Sequence, residues 1–344
     1  MNDGQRSEDH GQPARFFVKE PSWPDQPLAG RSIGIVGYGN LGRSAALNLK
    51  DCGLSVIVGS RQEPAADRAR AEGFEVVAIE QAIATCDVVW MALPDEVIGE
   101  HLSPAAHRRP KPGSLICFSS GYPLAYDLVK PPDDVDVVLL APRMLGVRIR
   151  ELFEQGRAFY CFASVEQDAT GRAAQRLFGL AKAFGAATDR LLEICAHEEA
   201  ALDLFVEQSV GPYLGAAVLS AFEVGIAAGL SPEALALELY MSGEMAQTWR
   251  AFAEMGFFSA VALHGGSAAF GGFIRMADVD AVAMKSAFGR ILDDITSGRF
   301  AARFQDELAA GSPTRELIDE MIDGTDPMSI AETRLKARTG EWPD

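Results

Sequence analysis

Over the first half of the chain, short runs of almost unbroken apolar residues alternate with segments whose apolar positions recur every three or four residues. SIGIVG (32–37), NLGRSAALNLKDCG (40–53) and LSVIVGSR (54–61) read in order as strand, helix and strand. Further apolar runs at 76–79, 87–93, 114–120, 136–142 and 158–165 extend the series. Strands that lack polar alternation must be covered on both faces, so the pattern predicts an α/β, Rossmann-type doubly wound parallel sheet. From about residue 168 the strand signal fades, and Ala, Leu, Glu and Met follow a 3.6-residue period, which predicts an all-helical C-terminal region. The stretch LDLFVEQSVGPYLGAAVLSAFEVGIAAGL (202–230) is apolar on more than one side and favours oligomerisation. Residues 1–29 carry Pro13, Pro21, Pro24 and Pro27 among polar residues and are expected to be a mobile lead-in. The expected organisation is therefore this lead-in, a dinucleotide-binding domain over 30–188 and a helical domain over 189–344.

Composition adds exclusions. The 344 residues suffice for two domains with their own cores, and 48 acidic against 31 basic residues leave a net charge of −17. That field repels polyanions, so no nucleic-acid partner is expected. Cys52, Cys86, Cys117, Cys161 and Cys195 form no C-x-x-C pair and no zinc spacing, which reads as thiols of a reducing, cytoplasmic environment. No run is read as approaching the roughly 20 apolar residues of a membrane span, and the polar N-terminal stretch lacks the apolar core of a signal peptide.

Gly37-Tyr38-Gly39-Asn40-Leu41-Gly42 is a G-x-G-x-x-G that follows a strand and opens a helix. In that setting the glycines let the backbone approach a pyrophosphate at a helix N-terminus. The second strand ends in Gly59-Ser60-Arg61-Gln62-Glu63-Pro64, without the acidic residue that holds a ribose 2′-hydroxyl. Arg61 can stack on adenine or hold a 2′-phosphate. Glu63 and Asp67 oppose a phosphate, so NAD(H) is expected over NADP(H).

Several separated motifs together resemble the ketol-acid reductoisomerases in their short form: IGIVGYGNLGRSAALNLKDCG, LPDEV (93–97), PPDDVDVVLLAP (131–142), EQDATG (166–171), LDLFVEQSV (202–210) and DDITSGRF (293–300). The resemblance implies a Rossmann domain and a knotted helical domain that forms a homodimer, each active site sharing residues of two subunits. It also implies NAD(P)H and magnesium chemistry that migrates an alkyl group in a 2-hydroxy-2-alkyl-3-keto acid and reduces the resulting 2-keto acid. Asp203 and Glu207 match the family's first metal-ligand pair, and Glu238 one member of the second. On spacing alone, Asp203 and Glu207 equally fit the polar stripe of an amphipathic helix, and Glu238 a solvated one. Leu93, Pro94, Asp95 and Val97 fall where the family's loop borders the nicotinamide; helix N-capping is the simpler reading of Asp95 and Glu96.

The departures from the family cluster at the reacting centre. Ser120, before Gly121 at the cofactor's edge, aligns with the family's histidine, and Arg143 with its lysine. Ser242 stands for the last glutamate, and Glu244 can replace it only if that helix is distorted. Leu263-His264-Gly265-Gly266-Ser267-Ala268 replaces the loop that carries the substrate-binding serine. His264 is a surface histidine or, by its intrinsic titration range, a candidate acid or base. His264, with Asp203, Glu207, Glu238, Arg143 and Ser120, makes up the expected catalytic set, Arg143 gripping a substrate carboxylate. The expected function is a divergent reductoisomerase-like oxidoreductase using NAD(H) and Mg²⁺ on a small 2-hydroxy or 2-keto carboxylic acid. Hydride transfer would be coupled to rearrangement or ring closure in specialised metabolism, as in a branch of the family that closes a cyclopropanol ring on a sulfonium acid. An ordinary acetolactate reductoisomerase and a silent nucleotide-binding paralogue are the alternatives.

Overall fold

Apolar β-branched runs and helical segments alternate as the hydrophobic pattern predicts. In chain order the elements are β1 (Arg15–Phe16), β2 (Ser32–Val36), α1 (Asn40–Asp51), β3 (Ser55–Gly59), α2 (Glu63–Ala71), β4 (Glu75–Val77), α3 (Ile79–Thr85), β5 (Val88–Met91), α4 (Asp95–Leu102), β6 (Leu115–Phe118), α5 (Tyr122–Ala125), β7 (Asp136–Pro142), α6 (Gly146–Glu154), β8 (Cys161–Gln167), α7 (Ala173–Phe184), β9 (Leu192–Glu193) and α8 (Ala196–Ala227). There follow α9 (Pro232–Ala236), a π turn over Leu237–Met241, α10 (Glu244–Met255), a 3₁₀ turn over Ser259–Leu263, α11 (Gly266–Met276), α12 (Ala281–Thr296), α13 (Arg299–Ala309), α14 (Pro313–Met321) and α15 (Pro327–Thr339). The computed structural model describes residues 15–61, 63–102, 109–263, 265–322 and 324–339.

The strands form one sheet in the order β1-β9-β8-β7-β6-β5-β2-β3-β4. Its centre, β4-β3-β2-β5-β6-β7, is parallel throughout and has the order of a dinucleotide-binding sheet, with the switch point between β2 and β5. Alternate residues of each strand feed two cores. Ile33, Ile35, Trp90, Cys117 and Leu140 pack with Leu49, Leu177 and Phe184 on one face, and Val36, Met91, Phe118 and Leu139 pack with Ile79, Ile83 and Ile98 on the other.

Three expectations need correction. The sheet is not wholly parallel, because β8 pairs antiparallel with β7. The chain returns from β7 through α6 to lie beside it in the opposite direction. Part of the presumed lead-in is ordered: β1 pairs with β9, Trp23 lies edge-on to Phe178 at 5.9 Å, and Leu28 is buried. The strand pairing and those two apolar side chains outweigh the prolines that suggested mobility; residues 1–14 lie outside the described residues. Finally, α8 is 32 residues long with a segment of mean hydropathy 1.5, long and apolar enough by length and composition to cross a membrane. Its carboxylates gather at the N-terminal end, and from Ser209 to Ala227 only Glu223 is charged.

By internal contacts the chain divides into two compact units, Met1–Leu202 and Asp203–Asp344. Among the described residues the second unit is helical throughout. Its core is small: Phe222, Ala236, Ala331 and Leu335 are buried against Ile226, Leu235 and Tyr240.

Candidate functional site

At the C-terminal ends of the parallel strands a cleft of 780 Å³ opens at the switch point. Strand β2 delivers Gly37 to it, β3 delivers Ser60 and Arg61, and β5 delivers Leu93, Pro94 and Asp95 with Val97 one turn into α4. Strand β6 delivers Ser119 and Ser120. The structure thus gathers Tyr38, Gly39, Asn40 and Leu41 with nearly every other residue expected to touch a cofactor.

The glycine turn is built for close approach. Gly37 has φ +99°, a left-handed conformation, and a Cβ there would lie 2.6 Å from the Ala92 carbonyl oxygen. A Cβ on Gly42 would stand 2.1 Å from the Gly37 carbonyl oxygen, so α1 seats on the turn only because that position is glycine. Gly39 has open space where its Cβ would point. It is the N-cap of α1, which has no side-chain cap and no acidic residue in its first turn. An uncapped helix start beside a cradle free of side chains suits a pyrophosphate, so the residues fit a dinucleotide.

The turn is anchored from behind. The Tyr38 hydroxyl and the Arg43 guanidinium both donate to Glu72, the latter through Nε at 2.8 Å. Burial works against the Glu72 carboxylate, but the Arg43 and Tyr38 hydrogen bonds prevail and hold its pKa below the ordinary glutamate value. Burial, then the Glu72 hydrogen bond and charge, push the Tyr38 phenol well above its ordinary range. At the far end of the cleft, Arg61 lies 3.7 Å from Glu100, and Arg68 adds a second cation. Glu63 and Asp67 both face Arg70, at 3.5 and 2.7 Å.

At the β6 end, Ser120 Oγ donates to Asp95 Oδ2 at 2.9 Å and accepts from the Tyr122 amide at 3.1 Å. The neighbouring Ser119 Oγ accepts from the buried Trp90 indole at 2.7 Å, which fixes the loop. Gly121 is packed so closely that a Cβ would meet the Ala196 carbonyl oxygen at 2.0 Å. Its amide donates to Glu199 Oε2 at 2.6 Å, and Arg143 Nη2 donates to Glu199 Oε1 at 2.6 Å. Arg143 also lies over the Phe162 ring, 4.7 Å from its centroid. Glu199 is 1% exposed and was missed by sequence reasoning. Its signal was present: Glu199, Asp203 and Glu207 recur every fourth residue on one face of α8. Arg143, expected to hold a substrate carboxylate, thus has one guanidinium nitrogen committed to a buried glutamate.

Asp203 is half-buried and Glu207 exposed on successive turns of α8. Glu238 is exposed on the π turn, and among the described residues no group of three or more His, Cys, Asp or Glu converges as a metal site, so Glu238 does not join Asp203 and Glu207 within one protomer. The helix carrying Glu238 is distorted as a role for Glu244 would require. Ser242 N donates to Leu237 O in a π bond, Gly243 turns left-handed at φ +79°, and Glu244 opens a new helix. Gly265 caps α11, while His264 lies outside the described residues.

Residues 27–189 match the family model described as acetohydroxy acid isomeroreductase, NADPH-binding domain, and residues 197–339 match ketol-acid reductoisomerase, C-terminal domain. A ketol-acid reductoisomerase (NADP(+)) of Methanopyrus kandleri is 32% identical over 318 residues, 92% of this chain and 95% of that one. A Pyrobaculum arsenaticum protein of the same name is 33% identical over 305 residues, 86% of this chain and 90% of that one. The structure of an NADH-preferring ketol-acid reductoisomerase from an uncultured archean aligns at a TM-score of 0.86 and 26% identity, covering 94% of this chain and 99% of that one. The chain belongs to the ketol-acid reductoisomerase family, NAD(P)-dependent oxidoreductases and isomerases that act on a small-molecule acid.

Proposed function

We propose that this protein is a divergent reductoisomerase that couples hydride transfer to a carbon-skeleton change in a small 2-hydroxy or 2-keto acid other than acetolactate. The observation that carries this reading is the rewritten reacting end of an intact cofactor cleft. Ser120 and Arg143 stand for an imidazole and an amine that can trade protons, and Arg143 is bound to Glu199. Arginine stays charged, so it cannot perform the proton transfers of a lysine.

Asp203 and Glu207 would hold Mg²⁺ as two oxygen ligands one turn apart, the ion keeping several waters and polarising the substrate's adjacent oxygens. Glu238 would complete the site from the second subunit of a homodimer. Support for the dimer comes from α8, of whose most apolar segment only 11% is buried within the chain, with Val210, Leu214 and Leu219 exposed. Nicotinamide supplies or accepts the hydride when bound. NADH is the proposed cofactor: among the described residues of the adenosine end, Ser60 is the small hydroxyl beside Arg61 and Arg68, and Glu100 draws on Arg61. The likeness to an NADH-preferring relative points the same way. Five free thiols suit a reducing cytoplasm.

Transient oxidation at C2 would acidify the neighbouring carbon, opening a route to bond migration or to ring closure against a sulfonium leaving group. The named relatives favour a second reading, ordinary acetolactate reduction. The rates with Mg²⁺ and NADH decide between them. The proposal expects reduction of 3-hydroxy-3-methyl-2-oxobutanoate at least ~100-fold faster than turnover of 2-acetolactate and, with NAD⁺ in place of NADH as the hydride acceptor, dimethyl sulfide release from a 2-hydroxy acid bearing a dimethylsulfonium group. Fast acetolactate turnover establishes the second reading instead.

A further inference from the structure

The Ser120 hydroxyl has one proton and two lone pairs. Its proton is directed to Asp95 Oδ2 at 2.9 Å, and one lone pair receives the Tyr122 amide at 3.1 Å. One lone pair therefore remains, on an oxygen that lines the cleft together with Asp95, Leu93 and Gly39. Both side chains are half-buried, so the pair meets the cleft without being dissolved in bulk water. The loop cannot easily turn the hydroxyl elsewhere, since Ser119 is tied to Trp90 and Gly121 is wedged against Ala196. The neighbouring Arg143 offers no acceptor in its place, because a guanidinium only donates.

We propose that Ser120 and Asp95 form a proton relay at the reacting end of the cleft, in the position where the family this chain resembles places a histidine. The relay rests on the oxidoreductase reading above. When a substrate alcohol is oxidised, the C–H bond leaves with its electron pair as hydride to the oxidised nicotinamide dinucleotide. The O–H proton passes to the remaining lone pair of Ser120 Oγ as the Ser120 proton passes to Asp95 Oδ2. Reduction of a 2-keto acid runs the same transfers backwards, the carboxyl proton of Asp95 reaching the new alkoxide through Ser120. Ser120 touches the reacting oxygen and is the catalytic residue; Asp95 acts through it and is a positioning and proton-holding residue.

The test uses the full-length protein with Mg²⁺, NADH and 3-hydroxy-3-methyl-2-oxobutanoate. Ser120→Ala and Asp95→Asn should each lower kcat ~100-fold or more, within the range of lost acid–base catalysis, with KM for the acid and Kd for NADH within about threefold of wild type. The double variant should fall no lower than the worse single one, because the two groups act as one unit. Ser120→Thr should recover most of kcat, and the solvent deuterium effect on kcat seen in the wild type should vanish in Asp95→Asn. An active wild type whose Asp95→Asn variant keeps kcat within threefold, or loses NADH affinity in proportion to kcat, overturns the relay alone. Additive losses in the double variant overturn it too. A wild type that binds NADH but does not reduce this acid overturns the parent reading and the relay with it.

Discussion

The two units of this chain solve the problem of burying apolar surface in opposite ways. In Met1–Leu202, Ile33, Leu49, Trp90, Phe118 and Phe184 are wholly buried around a sheet that helices cover on both faces. In Asp203–Asp344, Phe258, Phe273, Val282 and Met321 are 72–83% exposed, and the α8 segment is almost uncovered. A soluble monomer rarely leaves that much apolar surface to water. The first unit thus buries its own core, whereas the second leaves the apolar surface that the proposed dimer would cover. The proposed chemistry divides along the same line: the cradle, Ser120, Asp95 and Glu199 belong to the first unit, while Asp203, Glu207 and Glu238 belong to the second.

The largest expected effect breaks the first unit alone. Gly42→Ala drives a methyl into the Gly37 carbonyl, 2.1 Å away, and should weaken NADH binding at least ~100-fold by calorimetry while the oligomeric mass is unchanged. Next comes Glu199→Ala, which leaves Arg143 without its 2.6 Å partner and should lower stability by about 3 kcal/mol in urea unfolding. The second unit is challenged by Leu214→Glu with Leu219→Glu. Light scattering should then show monomers, with activity lost but NADH affinity within about threefold of wild type.

The smallest effect is a pH dependence in the first unit. The folded pKa of Glu72 lies below its unfolded value near 4.5, so its contribution is present above that value and is lost as pH falls below it through the folded pKa. Glu72→Gln should flatten the acid limb of stability below about pH 4.5 and leave neutral-pH cofactor binding little changed. An unaltered acid limb would show that the Arg43 and Tyr38 contacts do not act on the folded state.

The same division explains what the sequence disclosed. The seven strand runs from Ser32 to Val165 are readable because each is apolar throughout and bounded by turn residues, and the Gly37–Gly42 turn announces itself by its neighbours. The antiparallel pairing of β8 is hidden because an apolar run carries no record of strand direction. Trp23 and Leu28 are hidden because the surrounding prolines and charges mask two isolated anchors. At the site, Asp203 and Glu207 are visible as a motif. Glu199 reads as one more surface carboxylate, since only tertiary packing buries it against Gly121 and Arg143. The break at Gly243 is likewise invisible, because a π turn leaves the apolar spacing of Leu237 and Tyr240 intact.

The central claim is that the site is assembled from two chains, Asp203 and Glu207 from one and Glu238 from the other. Subunit complementation tests it most directly. Asp203→Asn and Glu238→Gln proteins, each inactive alone, are unfolded together, refolded as a mixture and assayed with Mg²⁺ and NADH. Random pairing makes about half of the dimers mixed, each with one intact site, so the mixture should regain about a quarter of wild-type activity. A mixture as inactive as its components would contradict the claim and place all three carboxylates in the service of a single chain.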